Sequence, residues 1–215
     1  GVPNTCNTCH ADQTTEWANE HVNSWYGDTQ RRNHVQNRAK TLTDAHQGLP
    51  DSLAAVKLIL AAEENVYWKT AWMRLLSVNA QDDSVVEIAE ENFKHESPML
   101  REASLTVLSQ RQEQLENLQL ALKDEALLVR NRAAEALMSQ FDPGMEAFQE
   151  WEDYAEMNAD RPGGSLRRAE LALVQGDFPL AKKLTLQAVS FDKENPYLYY
   201  DAAILLSRAG DVRGA

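Results

Sequence analysis

A helical pattern that recurs about every 30 residues, the spacing of stacked helix-pair arrays, limits this chain more than any other feature. Trp68-Lys69-Thr70-Ala71-Trp72-Met73-Arg74-Leu75-Leu76 aligns with Leu100-Arg101-Glu102-Ala103-Ser104-Leu105-Thr106-Val107-Leu108 at an offset of 32. That segment aligns with Val129-Arg130-Asn131-Arg132-Ala133-Ala134-Glu135-Ala136-Leu137 at an offset of 29. Each copy is an apolar residue, a base, then a small or apolar helical face ending in Leu. Amphipathic segments at 52–64, 83–94 and 112–123 precede the copies. Helix pairs of this length cannot bury both faces alone and must stack on one another, which makes a solenoid. Composition points the same way, with Ala and Leu the commonest residue types and Ile and Val scarce. Good helix formers dominate over β-branched residues, so the expected fold is all-α.

A second period lies further along. Gly176-Asp177-Phe178-Pro179-Leu180-Ala181 recurs as Gly210-Asp211-Val212-Arg213-Gly214-Ala215, an offset of 34. Between them stand Ala188, Asn195-Pro196 and Tyr199. Gly48-Leu49-Pro50-Asp51 reads as a helix stop followed by an Asp/Ser cap, a natural boundary. Asp142-Pro143-Gly144 and Arg161-Pro162-Gly163-Gly164 read as two later breaks, the Gly pair as a linker. The expected domains are 1–50, 51–141 and 142–215. The middle zone resembles the HEAT family of helical repeats, including the short variety first noticed in bilin lyases. The shared residues are packing residues, so no lyase activity comes with that likeness. Residues 165–215 resemble the tetratricopeptide repeat, with Lys193 where its usual Pro would stand.

The chemistry gathers at the other end. Cys6-Asn7-Thr8-Cys9-His10 is a C-x-x-C-H sequence and holds both cysteines of the chain. That spacing is the attachment sequence of c-type haem. Two thiols reach the vinyl groups on one porphyrin edge, and the adjacent His10 falls under the iron as proximal ligand. Three other readings use the same residues, the plainest being a chance pair of cysteines. A thioredoxin-like redox pair calls for a βαβ context, which is missing. A zinc site of Cys6, Cys9, His10 and His21 has a looser spacing than the common patterns. Trp17, His21 and Trp25 come next at i, i+4 and i+8, one stripe of a helix over about 12–26. The stripe suits cover for a flat macrocycle and equally an ordinary core face.

For a distal iron ligand, all five Met lie in the repeat zones, whereas four of the five His precede residue 47. His34 begins an amphipathic segment (Val35, Ala39, Leu42, Ala45) and is the first candidate, with His46 and His21 after it. A ligand from an upstream domain is an equal alternative. His95, in a repeat turn, reads as structural. Arg101 and Arg130 sit at equivalent repeat positions and read as inter-repeat ion pairs before a binding stripe. Tyr197, Tyr199 and Tyr200 read as packing or groove residues.

Net charge is −12, from 21 basic and 33 acidic residues. Phosphate binding needs clustered Lys and Arg, so no nucleic-acid partner is expected. The longest apolar run, Leu53 to Ala62, contains Lys57, so no membrane span is expected. No nucleophile elbow, zincin helix or paired-carboxylate signature marks a catalytic centre. The chain opens on Gly-Val-Pro with no initiator Met or signal peptide, and reads as a processed piece or fragment of a longer protein.

The order of parts resembles the C-terminal portion of a family of exported bacterial multihaem c-type cytochromes fused to helical repeats. The likeness rests on Cys6–His10, Trp17, Trp25-Tyr26-Gly27 and His34, then HEAT-like pairs and tetratricopeptide repeats. It implies covalent haem c, electron transfer and a periplasmic or otherwise exported location. It also implies a redox partner protein or an upstream haem domain, and a peptide or protein on the repeat surface. Two further readings stand beside it: a pure protein-interaction module without haem, and part of an oxidoreductase whose catalytic haem lies upstream.

Overall fold

A computed structural model of the chain describes residues 5–27, 29–211 and 214. Among them there are thirteen α-helices, three short 3-10 turns and no strand, which agrees with the expected all-α class. No described helix is long and apolar enough to cross a membrane. The chain divides into two units, 1–63 and 64–215.

The first unit contains α1 (Thr5–Cys9), α2 (Thr15–Tyr26), α3 (Gln30–His46) and α4 (Ser52–Ala62). Thr14 caps α2 by accepting the Trp17 amide, so the helix starts at Thr15, a little after the expected start near residue 12. Thr29 caps α3 in the same way through the Arg32 amide. The expected stop at Gly48 is present. Gly48 is left-handed at φ 62°, and the Leu49 amide returns to the Asp44 carbonyl at 3.0 Å. Asp51 does not cap α4; it is itself left-handed at φ 64°, and its side chain makes no cap bond. The Gly48–Asp51 turn lies inside this unit, and the division falls after Glu63. Arg38 on α3 donates to the buried Glu63 carboxylate, Nε to Oε2 at 3.0 Å, which fixes the face α3 turns inward. Thr41 is therefore buried, while Val35 and Ala39 of the expected apolar face are not.

The second unit runs α5 (Val66–Leu76), α6 (Asp83–Asn92), α7 (Pro98–Leu108), α8 (Leu115–Ala121), α9 (Leu127–Ala136), α10 (Glu146–Met157), α11 (Pro162–Val174), α12 (Phe178–Phe191) and α13 (Pro196–Arg208). α5 packs on α7 and α7 on α9. α6 and α8 flank α7, and from α9 onward each helix packs on the next. Burial obeys the sequence offsets of 32 and 29. Met73, Leu105 and Ala134 are fully buried at equivalent positions, as are Trp72, Ser104 and Ala133. Leu76, Leu108 and Leu137 close each copy.

Two arginines at equivalent places each tie their own helix to an element that follows it. Arg101 clamps Asp124 with two bonds of 2.8 and 2.7 Å and donates Nη1 to the carbonyls of His95 and Glu96. Arg130, at the equivalent place of the next copy, clamps Glu150 with two bonds of 2.6 Å and donates Nη1 to the carbonyls of Asp124 and Glu125. Each guanidinium thus satisfies carbonyls left open at one turn and a carboxylate of the next element. His95 is structural as expected, its Nδ1 accepting the Ser97 amide at 3.0 Å.

The offset of 34 also appears in the backbone. The Gln175 amide returns to Leu171, Gly176 to Leu173 and Asp177 to Ala172; Ala209, Gly210 and Asp211 repeat these bonds to Leu205, Ser207 and Leu206. Gly176 and Gly210 hold matching left-handed turns at φ 77° and 82°, which glycine adopts without a Cβ penalty. Val212, Arg213 and Ala215, the remainder of the second copy, lie outside the described residues.

Gly163-Gly164 is not a linker. Both glycines lie in the first turn of α11. A Cβ on Gly164 would lie 1.9 Å from the Asn158 carbonyl oxygen, so α11 seats against the end of α10 only because that atom is missing. Gly164→Ala is therefore expected to destabilise the protein by about 1–3 kcal/mol, although Ala is the better helix former. Gly163→Ala meets only the flexible end of Arg167 at 3.3 Å and is expected to be neutral or slightly stabilising. Thermal melts of the two variants check the pair; a Gly164→Ala melt at or above the parent would show that the close approach is not enforced.

Candidate functional site

The C-x-x-C-H residues form the first helix and the turn after it. Cys6 and Cys9 both lie on α1, and the His10 amide donates to the Cys6 carbonyl at 2.9 Å. One helical turn therefore carries both thiols and the imidazole on neighbouring positions of one face. Both thiols are free; Cys6 is half-buried, and Cys9 and His10 are exposed. Asn7, inside the motif, ties the loop to the start of α2 by donating Nδ2 to the Gln13 carbonyl at 2.7 Å and to the His10 carbonyl at 3.2 Å. Nothing in the sequence pattern marks Asn7 for this task, which lies at a position the motif leaves open.

A ladder of rings rises from His10. Its ring centroid is 5.0 Å from Trp17, Trp17 is 4.4 Å from His21, and His21 is 5.8 Å from Trp25. The ladder is no core face, since Trp25 is 65% exposed and Trp17 only half-buried. His21 Nδ1 lies 3.0 Å from the Trp17 carbonyl. A carbonyl only accepts, so Nδ1 carries the proton and Nε2 of the neutral ring keeps its lone pair. His34 stands exposed on α3, and no ring contact joins it to the ladder. His46 is exposed at the end of α3.

Among the described residues no group of three or more His, Cys, Asp or Glu side chains converges as metal ligands. Zinc held by four protein side chains needs such a group. Haem c does not, because its thiols bond to the porphyrin and a single imidazole from this motif reaches the iron. The donor set present, two free thiols and an exposed imidazole on one turn, fits the second.

The second unit presents a different surface. Arg74 bonds Glu102 at 2.6 Å, Glu102 bonds Arg132 at 3.1 Å, Arg132 bonds Glu135 at 3.0 Å and Glu135 bonds Arg167 at 3.1 Å. This row of alternating charge crosses α5, α7, α9 and α11. Beyond it Glu170 is held above its ordinary carboxylate value by burial and by the charge of Glu135. Two clefts open along α9. One of about 750 Å³ has Arg130 and Glu150, already paired with each other, in its wall. The other, about 380 Å³, lies against the charged row and α10. Tyr197, Tyr199 and Tyr200 on α13 are exposed rather than packed. Sequence reasoning misses the charged row, although one signal for it exists: Arg74, Glu102, Arg132 and Glu135 interrupt the small or apolar face of the three copies.

No family model, no curated protein and no solved structure matches this chain.

Proposed function

We propose that the chain carries a covalently attached c-type haem at its N-terminal end and serves electron transfer, with residues 64–215 as a helical-repeat scaffold that docks protein partners. The observation that carries this reading is the placing of Cys6, Cys9 and His10 on one turn with both thiols free. When bound, haem c supplies one-electron chemistry at iron. The side chains of this chain do the rest. Cys6 and Cys9 hold the porphyrin edge and His10 offers an imidazole. Trp17 and Trp25 give flat apolar cover on the side where the ladder rises. Asn7 fixes the loop that sets the angle of His10. For the distal position His34 remains the first candidate, exposed on α3, because the Trp17 ring stands between His10 and His21. The recurring burial at offsets of 32 and 29, and the matched turns at an offset of 34, support HEAT-like and tetratricopeptide-like stacking. Attachment of haem c outside the cytoplasm goes with an exported, periplasmic location and a redox partner or upstream haem domain.

The test is protein made together with haem-maturation machinery. The expected product shows a Soret band that survives denaturation, as a thioether-linked group must, and loses it in the Cys6→Ala, Cys9→Ala variant. His34→Ala is expected to turn a low-spin reduced spectrum high-spin, or to let the protein bind carbon monoxide. Protein that matures without a Soret band would overturn the haem reading and leave an interaction scaffold.

A further inference from the structure

From the face that α2 and α3 leave open we infer that the first unit docks an acidic segment of a partner protein, with an aliphatic side chain at the centre of that segment. This rests on the redox-partner part of the proposed function and gives that partner a place and a chemistry. Trp25, Tyr26 and Val35 are 65%, 64% and 55% exposed. Trp25 is also the outer end of the ring ladder that begins at His10. A partner seated beside it therefore stands at the end of a run of rings that starts on the proposed iron ligand.

An open cleft of about 480 Å³ lies between the end of α2 and the first turns of α3. Tyr26 and Val35 give it apolar walls, Arg31 and Arg32 give it charge, and its other lining residues, Thr29 and Gln36, are neutral. Such a surface is out of keeping with the rest of the chain. Residues 29–43 hold four bases and no acid, within a net charge of −12. Arg38 and Lys40 are paired with Glu63 and Asp44. Arg32 instead donates to the neutral Asn23 side chain, and Arg31 makes no hydrogen bond or ion pair among the described residues. Asp28, the acid nearest in sequence, lies outside the described residues.

The residue types select the class of partner. Trp, Tyr and Arg are the side chains that carry most of the binding energy at protein interfaces. A guanidinium takes a carboxylate through two parallel bonds. Arg32 is already held in place by Asn23, so little side-chain freedom is lost when a carboxylate meets it. Nucleic acid calls for a much larger basic surface than two arginines, and the net charge of the chain opposes it. The apolar walls of Tyr26 and Val35 call for an aliphatic residue between the carboxylates that Arg31 and Arg32 take up.

The test is a nitrogen-15 correlation spectrum of the full chain titrated with the peptide acetyl-Glu-Glu-Leu-Glu-Glu-amide. Two control peptides put Gly in place of Leu, or Lys in place of every Glu. The Nε–H peaks of Arg31 and Arg32 are identified by their loss in Arg31→Gln and Arg32→Gln. The expected result is a saturable shift of both peaks with the acidic leucine peptide, about tenfold weaker binding of the glycine peptide, and no saturable shift of these peaks with the lysine peptide. General attraction does not bring an acidic peptide to a chain of net −12, so saturation at these two peaks speaks for this face. Added salt should weaken it. Arg31→Gln and Val35→Ser change exposed side chains, so both should melt with the parent and bind the leucine peptide about tenfold more weakly. Unmoved arginine peaks, unchanged binding in both variants, or equal binding of either control peptide overturns the surface. The haem reading is tested apart from it, on the Soret band.

Discussion

Leu105→Asp is expected to unfold residues 64–215 under conditions where the parent is folded. Leu105 lies midway along α7, the helix with α5, α6, α8 and α9 all packed against it. Its side chain is fully buried, as are those of Met73 and Ala134 at the equivalent places in the neighbouring copies. No basic group stands at those equivalent places to meet a carboxylate. An uncompensated charge there costs several kcal/mol, against a total stability of about 5–15 kcal/mol for a typical domain. Ala134→Asp adds bulk to the same penalty. Urea or thermal unfolding followed by circular dichroism reads the outcome. A midpoint within a few degrees of the parent for either variant would mean that the buried face has been assigned wrongly.

Arg101→Ala should cost about 3–5 kcal/mol, the range for removing one partner of a buried ion pair. The Arg101 and Asp124 side chains are only 10% and 12% exposed. Truncation leaves the Asp124 carboxylate without its clamp and opens the carbonyls of His95 and Glu96. Arg130→Ala should cost less, because Arg130 and Glu150 are 21% and 27% exposed. The pair also fixes an acid dependence. Burial pushes the Asp124 carboxyl up, but hydrogen bonds from Arg101 and the Ala126 amide outweigh it and hold the group below its ordinary value. Arg101, raised chiefly by its bond to Asp124, stays charged throughout. A carboxylate depressed by folding contributes stability that is complete above its unfolded value, about pH 4. That contribution is lost as pH falls toward the lower folded value. Urea midpoints at pH 6 and pH 3 should therefore differ by less in Asp124→Asn than in the parent. An equal difference would place the acid sensitivity elsewhere.

The all-helical class and the internal helices were legible in the sequence because they depend on local periodicity. The copies at 68–76, 100–108 and 129–137 fall within α5, α7 and α9 or end one residue beyond them, and their buried positions agree. The Cys6–His10 motif was legible because its spacing is itself a single turn. Features that depend on meetings in space were not. Gly164 reads as a linker glycine until the Asn158 carbonyl is found beside it. The apolar pattern Val35, Ala39, Leu42 and Ala45 suggests one inward face for α3. The pair between Arg38 and Glu63, distant in sequence, selects another, and it carries α4 into the first unit. The unpaired, buried Oδ1 of Asn131 was hidden for a related reason, since an asparagine shows its missing partner only once its neighbours are placed.

The packing order along the second unit has a consequence for how fast it forms. The main partners of α7 are α5, α6, α8 and α9, and from α9 to α13 the contacts run chiefly between adjacent or next-adjacent helices. Such contacts do not require the chain to close a loop much longer than one copy, so the entropy lost before the first native contacts form is small. Chains dominated by local closures cross their barrier quickly. Arg101 ties α7 to the turn before α9 and Arg130 ties α9 to α10, so each clamp closes between elements near in sequence rather than waiting for a distant end of the chain to arrive.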